Sequence, residues 1–224
     1  MSDSTPAPSA TVIVLRDTPA GLETLLLRRN SRLAFHGGAW VFPGGHIDAA
    51  DHVVGAEDDL LTAARNAAVR EAREEANLMI GAEKLVFFSH WTTPIIRPKR
   101  FSTWFFVAPA GNEVVAVDGD EIHDHSWMRP ERALAAQKAG EIELPPLTFV
   151  SITKLAAFQT VDHALSRLAE RKPEVFFPRI QKVSGGACCL YQGDAGYETE
   201  DPDAPGARHR LWMLKSGWRY EQEP

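Results

Sequence analysis

Apolar residues occur in short runs over the first 130 residues, and glycine, proline or charged residues bound each run. Runs of this length that are rich in β-branched and aromatic residues predict β-strands. The first two runs are separated by a turn containing proline and glycine, which indicates a hairpin. Strands are therefore predicted over 11–16, 23–28, 40–42, 85–91, 101–107 and 126–128.

A helical period begins near residue 58. Small and apolar residues recur there at three- and four-residue spacing, which predicts a helix over 58–76. The positions are Leu60, Leu61, Ala64, Ala67, Ala68 and Ala72. Asn77 follows, and asparagine tolerates the left-handed conformation that closes many helices. Further helices are predicted over 130–139 and over most of 146–171.

The order of these elements predicts one α/β domain, α+β by strict count, with a mixed β-sheet sandwiched between helices. Residues 1–10, rich in Ser, Pro and Ala, are expected to form a disordered tail. The domain is expected to span 11–224, with a C-terminal helix and edge strands added from about residue 146. Three β-like pieces within 175–220 would supply those edge strands.

Composition narrows the function classes. The net charge is −6 and the sequence has no evident basic face, so nucleic-acid binding is not expected. The sequence has no apolar run of about 18 residues, which argues against a membrane span. The adjacent Cys188 and Cys189 disfavour a disulfide and, with a start that lacks a signal pattern, indicate a cytoplasmic protein. The oligomeric state stays open, with a homodimer as one alternative.

The segment 70–75, REAREE, carries the clearest chemistry. At about 100° per residue, Glu71, Glu74 and Glu75 fall within about one quadrant of a helix. Carboxylates this crowded repel one another unless cations sit among them, and oxygen ligands suit Mg²⁺ or Mn²⁺. The Pro-Gly-Gly turn at 43–45 can offer backbone carbonyls to the same ion. The alternative is a solvated helix face with ordinary charge pairs.

This combination resembles the Nudix box, which runs from a glycine through an acidic residue to Arg-Glu-apolar-any-Glu-Glu. Gly45 begins the pattern here, Asp51 takes the acidic position in place of glutamate, and 70–75 supplies the end. Asn77 replaces the usual glycine. Residues 52–69 contain an eleven-residue insertion relative to the family pattern, so either Asp51 or an acid within 57–59 is expected to reach Arg70.

The stretch 25–51 is also similar to the coenzyme A diphosphatases of that family. It reads LLLRRNSRLAFHGGAWVFPGGHIDAAD, with Leu-Leu, an Arg-rich segment, His-x-Gly and Phe-Pro-Gly-Gly before Asp-x-x-Asp. The inserted box and the segments 144–146 and 208–212 are similar to the same branch. The resemblance covers about residues 10–220 and implies a nucleotide substrate related to coenzyme A.

The resemblance also implies roles for single residues. Glu71, Glu74 and Glu75, with the Gly44 carbonyl, would hold Mg²⁺ or Mn²⁺. Glu74 and Glu75 would also serve catalysis, in which water attacks phosphorus and a carboxylate takes the proton. Members of the family often add an acid from a distant loop, for which Glu121 is better placed than Glu113.

Basic residues in two segments are candidates for binding a nucleotide substrate. The first group precedes the box and can hold phosphates in bidentate fashion: Arg28, Arg29 and Arg32. The second group lies in one loop and can grip a 3′-phosphate or stack on a base: Arg97, Lys99 and Arg100. The alternative for each group is a solvated basic surface.

His123 and His125 stand two residues apart near a predicted strand. Such a pair can begin a transition-metal site. A third ligand is not evident in the sequence, so surface positions are favoured for both.

Three functions remain at this point. The first is a hydrolase that cleaves coenzyme A or acyl-coenzyme A into 3′,5′-ADP and 4′-phosphopantetheine. The second is cleavage of ADP-ribose, NADH or another dinucleotide. The third is a non-catalytic nucleotide binder, against which the intact set Glu71, Glu74 and Glu75 argues.

Overall fold

The computed structural model describes residues 5–32, 37–56, 58–97 and 99–223. Residues 1–4 of the expected disordered tail lie outside the described residues. The rest of that tail differs from the expectation, because the first strand already begins at Ala7. Pairing explains the early start: the Ala7 N–H donates to the Arg100 carbonyl at 2.9 Å, so this backbone is held in a ladder.

The strands of the described residues are β1 (Ala7–Thr18), β2 (Gly21–Arg29), β3 (Trp40–Val41), β4 (Gly44–His46), β5 (Val86–Thr92), β6 (Phe101–Pro109), β7 (Ile122–Met128), β8 (Glu174–Phe176), β9 (Arg179–Val183), β10 (Gly186–Leu190), β11 (Arg208–Leu214) and β12 (Gly217–Glu223). The helices are α1 (Leu60–Ala76), α2 (Pro130–Lys138), α3 (Pro146–Leu155) and α4 (Val161–Ala169), with 3-10 turns at Ala49–Asp51 and Ala82–Lys84. The predicted α/β class with a mixed sheet is confirmed.

The large sheet has the order β3-β2-β1-β6-β5-β8, with β4 beside β1 and β7 beside β2. Helix α1 packs on one face of it through a row of buried alanines, whose small side chains allow a close approach. The row is Ala63, Ala64, Ala67, Ala68, Ala72 and Ala76. Leu60 and Leu61, which the period placed on the buried face, are instead exposed because the packed row begins at Ala63.

The chain divides into two compact units. The core unit comprises Pro8–His90 and Thr103–Glu174, and the C-terminal unit comprises Trp91–Ser102 and Val175–Pro224 with the segment up to Ala7. The expected edge strands correspond to β8 alone, since β9 to β12 pair among themselves in the order β12-β11-β10-β9. A buried cluster of Cys188, Leu190 and Tyr197 gives this second sheet a core of its own.

Candidate active site

The glycine turn and helix α1 meet through one buried carboxylate. The Gly44 N–H donates to Glu75 Oε2 at 2.9 Å, and Glu75 is only 5% exposed. Strand β4 carries Gly44, and its pairing with β1 places Gly44 opposite Thr11 and Gly45 opposite Ala10. The turn is therefore fixed by the sheet on one side and by the helix on the other.

Both glycines are required by close approach. A Cβ atom on Gly45 would stand 2.3 Å from Oε1 of Glu71, and one on Gly44 would stand 2.4 Å from the Ala10 carbonyl oxygen. Carbon and oxygen atoms do not approach this closely without a shift of one partner. The pair lets the backbone lie against the carboxylates of α1, and the predicted role of the turn as a carbonyl ligand to a metal ion stays a prediction.

The insertion in the box leaves the link between Asp51 and Arg70 in place. Nε and Nη2 of Arg70 donate to the two oxygens of Asp51 at 3.1 and 2.9 Å. Of the two alternatives, Asp51 therefore reaches Arg70. Asp59 caps α1 instead, because its carboxylate accepts from the N–H and hydroxyl of Thr62.

The residues between Asp51 and Arg70 divide between a loop and the N-terminal turns of α1. Val53 and Val54 are 45% and 96% exposed, and α1 continues unbroken from Leu60 through the glutamates. It ends where predicted, with Asn77 in the left-handed conformation at φ 57°. The insertion thus adds residues on the N-terminal side of the part of α1 that carries Glu71, Glu74 and Glu75.

Arg70 is shared among more acids than it can neutralise. Its Nη1 atom donates to Glu71 at 2.8 Å and to Glu74 at 3.0 Å, and Nη2 lies 3.6 Å from Asp48. Counting Asp51, four carboxylates face this single guanidinium. The site therefore carries a surplus of negative charge.

Burial opposes this surplus of negative charge, because it disfavours the ionised form of the acids. It raises the pKa of Glu75 to about 8, although the Gly44 N–H opposes the shift; the charge of Glu71 raises it further. Burial also raises the pKa of Glu71, against the hydrogen bond from Arg70. These two acids would regain a favourable ionised form if a cation lay between them.

Arg29, at the end of β2, is a second guanidinium near these acids, and it acts on Glu75. Its charge lowers the pKa of Glu75, and its Nη2 atom lies 3.8 Å from Oε2 of Glu121. The Nε atom of Arg29 is buried and finds no hydrogen-bond partner among the described residues. Arg28 is exposed and is paired in register with Asp124.

Strand alternation is the signal that distinguishes Arg29 from Arg28. Leu25 and Leu27 belong to the core beneath α1, and Arg29 continues that row at two-residue spacing. In the sequence alone, Arg29 is one of three arginines in the same segment, with Arg28 and Arg32. Glu121, 61% exposed beside Arg29, stands where a loop acid was expected, and its catalytic role stays a prediction.

The other predicted cations are not brought together by the described contacts. Arg32 is exposed, and its N–H donates to Oδ1 of Asn30. Arg97 is exposed in the C-terminal unit, where Nε of Arg100 donates to the Thr93 carbonyl at 3.2 Å. Their role as phosphate ligands stays a prediction.

The donor set fits a hard divalent cation by its chemistry. It offers carboxylate oxygens in surplus over guanidinium groups, and such oxygens are the ligands that Mg²⁺ and Mn²⁺ prefer. Glu74 is turned toward Arg70 and is 58% exposed. Within the part of the chain that the structure describes, no group of three or more His, Cys, Asp or Glu side chains is arranged to hold a metal ion.

Comparison with solved structures places the fold among known ones. A NUDIX hydrolase from Alicyclobacillus acidocaldarius superposes with a TM-score of 0.64 at 24% identity, covering 73% of this chain and 96% of that one. The NUDIX domain of Shewanella oneidensis NrtR, complexed with ADP ribose, superposes with a TM-score of 0.50 at 14% identity, over 74% and 90% of the two chains. At these identities the likeness concerns the fold.

A sequence relative and a family model extend the comparison. The acyl-coenzyme A diphosphatase NUDT19 of Xenopus laevis is 29% identical over 132 residues, which are 55% of this chain and 34% of the relative. The chain thus spans about a third of that relative's length. The family model of the NUDIX domain matches residues 5–148, which include the glycine turn, α1 and Glu121. The chain therefore belongs to the Nudix family.

Proposed function

We propose that this protein hydrolyses a diphosphate linkage in a nucleoside diphosphate derivative, in a reaction that depends on Mg²⁺ or Mn²⁺. The observation that carries the proposal is the surplus of buried carboxylate at Glu71 and Glu75 against the Gly44–Gly45 turn. A structural helix face would match its acids with cations. Here the unmatched charge suits a bound ion and its anionic substrate.

Each residue of the candidate site has a proposed role in the reaction. Glu71, Glu74 and Glu75, with the Gly44 carbonyl, would hold the ion, which when bound activates water and neutralises charge on the phosphate. Arg70 orients Glu71 and Glu74, and the Gly44 N–H orients Glu75. Arg29 presents a half-buried guanidinium to a phosphate. Glu121, beside Arg29, is the proposed proton acceptor.

The proposed substrate is coenzyme A or an acyl-coenzyme A. The resemblance of residues 25–51 to the coenzyme A branch and the activity named for the Xenopus relative support this choice. Arg97 and Arg100 are the proposed ligands of the 3′-phosphate. Arg29 and Arg32 are those of the diphosphate, because strand alternation puts Arg28 on the opposite face of β2. ADP-ribose or another dinucleotide is the second candidate, since a Nudix domain of similar fold was solved with ADP ribose.

Hydrolysis of a nucleotide panel with Mg²⁺ or Mn²⁺ tests the reaction. Coenzyme A, its 3′-dephospho form, ADP-ribose and NADH should be compared by product analysis. Glu75→Gln should lower turnover by roughly 10²-fold or more, as expected for loss of a ligand to a catalytic ion. Near wild-type turnover in Glu75→Gln would reject the assignment of Glu75, and binding without hydrolysis in the wild type would favour the non-catalytic alternative.

The same panel tests the substrate. If Arg97 and Arg100 bind the 3′-phosphate, dephospho-coenzyme A should be the poorer substrate, and Arg97→Ala with Arg100→Ala should narrow the difference severalfold. Arg132→Ala, which removes an exposed cation paired with Glu141, is the matched control. Equal rates on both substrates, or faster cleavage of ADP-ribose, would favour the dinucleotide alternative.

A further inference from the structure

A cavity of about 580 Å³ opens on the core unit. Its lining contains none of the residues of the carboxylate cluster, which is formed by Glu71, Glu74 and Glu75. It lies between the end of β1, the segment that follows β6, and β7. Its lining includes Arg16, Asp17, Glu113, Val114, His125 and Trp127. The volume is within the range of small-molecule sites, which is about 300–1,000 Å³.

Strand register connects this cavity to the candidate active site. Leu27 pairs with His125 and Leu25 pairs with Trp127, and both leucines belong to the core under α1. Because paired residues share a face of the sheet, His125 and Trp127 lie on the α1 face of β7, one strand across from Leu27 and Leu25. At about 3.4 Å per residue, His125 and Trp127 lie roughly 7 Å and 14 Å farther along the sheet than Arg29, and about 4.8 Å to the side of its strand.

These distances are similar to those that separate the phosphate of a nucleotide from its sugar and its base. A phosphate held at Arg29 would place the sugar beside His125 and the next group in the cavity. The core unit holds both places within itself, since β1, β2, β7 and α1 all belong to it. A nucleotide that extends from Arg29 past His125 into the cavity therefore needs no residue from the C-terminal unit.

The side chains that line the cavity indicate which part of the substrate binds there. The Arg16 guanidinium stacks over the Trp127 indole at 4.3 Å and is held there by Glu23 at 2.7 and 2.9 Å. An acyl chain would place apolar atoms against the polar side chains of Arg16, Asp17 and His125. A phosphate would meet two acids in this cavity. A planar heteroaromatic ring could stack on the guanidinium and use the polar edge groups.

We propose that this cavity binds the nucleobase of the substrate, with the ring stacked on Arg16 and its polar edge facing Glu113 and His125. The proposal rests on the proposed function and assigns a place to one part of its substrate. Coenzyme A, ADP-ribose and NADH share an adenine base, so the assignment holds for each of them.

Saturation-transfer NMR with adenosine and the metal-free protein tests the site. Adenosine has no phosphate, so its binding reports the base site without hydrolysis or metal. The adenine protons should receive saturation, and titration should yield a dissociation constant. His125→Ala and Glu113→Gln should each weaken binding roughly three- to tenfold, the effect of losing about one hydrogen bond.

His123→Ala is the matched control. His123 is exposed, two residues from His125 on β7, and does not line the cavity. Its replacement should leave adenosine binding unchanged. Equal weakening by His123→Ala and His125→Ala, or adenosine binding unaffected by both cavity substitutions, would overturn the proposal. His125→Gln, which keeps a polar side chain, guards against a loss caused by misfolding.

Glu75→Gln separates this inference from the proposed function. Its adenosine affinity should equal that of the wild type, because Glu75 lies in the carboxylate cluster. Hydrolysis that is abolished while adenosine still binds supports both assignments. Wild-type protein that hydrolyses dinucleotides but does not bind adenosine in the cavity would reject the base site alone.

Discussion

The core unit and the C-terminal unit each contain an arginine bound to an aspartate through two hydrogen bonds. In the core unit, Arg70 donates to Asp51 at 3.1 and 2.9 Å. In the C-terminal unit, Arg210 donates to Asp194 at 2.7 and 2.6 Å. The two pairs have the same chemistry, yet they differ in burial and in the charges around them.

In the C-terminal pair each charge faces one opposite charge, and both side chains are buried. The side chains of Arg210 and Asp194 are 1% and 0% exposed. Asp194 also accepts from the N–H groups of His209 and Gly196, and Arg210 donates to the Pro202 carbonyl. Arg70, in contrast, is 25% exposed and faces four carboxylates. A matched pair stabilises a fold, whereas an unmatched set leaves capacity for a ligand.

The largest expected effect is on Asp194. Asp194→Asn should lower the free energy of unfolding by about 3–5 kcal/mol, because a fully buried guanidinium would lose its counter-charge. Urea unfolding followed by tryptophan fluorescence measures the loss. Asp203→Asn, an exposed acid of the same loop, should change stability by less than about 0.5 kcal/mol. A loss below about 1 kcal/mol for Asp194→Asn would show that the buried C-terminal pair is no more important for stability than the more exposed pair of the core unit.

The same substitution at Asp51 should cost less. Asp51→Asn leaves Arg70 with Glu71, Glu74 and Asp48, so we expect a loss of about 1–2 kcal/mol. Hydrogen bonds from Arg70 and the Asp48 N–H outweigh burial and lower the pKa of Asp51, so its contribution is present above about pH 4 and fades as the pH falls. Unfolding curves at pH 7 and pH 3 check both statements. Equal losses at Asp51 and Asp194 would show that surplus carboxylates do not compensate.

Replacing Glu75 should stabilise the metal-free protein. Its pKa of about 8 lies above that of an unfolded glutamate, so the folded state retains a proton that the unfolded chain releases, and stability falls as the pH rises from about 4.5 to 8. Glu75→Gln removes this penalty and should gain on the order of 2 kcal/mol at pH 8. Melting curves in EDTA at pH 8 and pH 4.5 should show the gain only at the higher pH.

The smallest effect should come from one methyl group. Gly45→Ala would push the Glu71 carboxylate aside and should lower metal-dependent turnover about tenfold with little change in melting temperature. Gly81→Ala is the control, since its Cβ would meet the carboxylate of Glu83 at 2.1 Å, remote from the glycine turn in sequence. Equal activities for both variants would exclude the contact of Gly45 with Glu71 as a requirement.

Local sequence signals predicted the parts of the molecule that depend on neighbouring residues. The spacing of small residues predicted α1, and Asn77 predicted where the helix ends. The acidic residues and the glycine turn predicted the group of carboxylates at Glu71, Glu74 and Glu75. The prediction that Leu60 and Leu61 are buried is wrong. A hydrophobic period along a helix does not show where contact with the sheet begins.

Long-range pairing could not be predicted in the same way. Whether β9 to β12 would join the large sheet or form their own depends on partners far apart in sequence. The insertion left open which acid reaches Arg70, since that contact joins residues nineteen positions apart. The cavity at His125 and Trp127 has contributions from four separate segments, and a pattern along the chain does not report such convergence.

The loop that follows Asp51, exposed over residues 53–56, has a practical consequence. Both of its ends are fixed, one by Arg70 and the other by the cap of α1, so its length is not coupled to the carboxylates. Doubling a flexible loop costs only about 0.6 kcal/mol in closure entropy. Position 54, 96% exposed, is therefore a permissive point at which a reporter peptide or fluorophore can be grafted a few residues from the candidate site. The same tolerance would allow related chains to vary here in length while keeping one reaction centre.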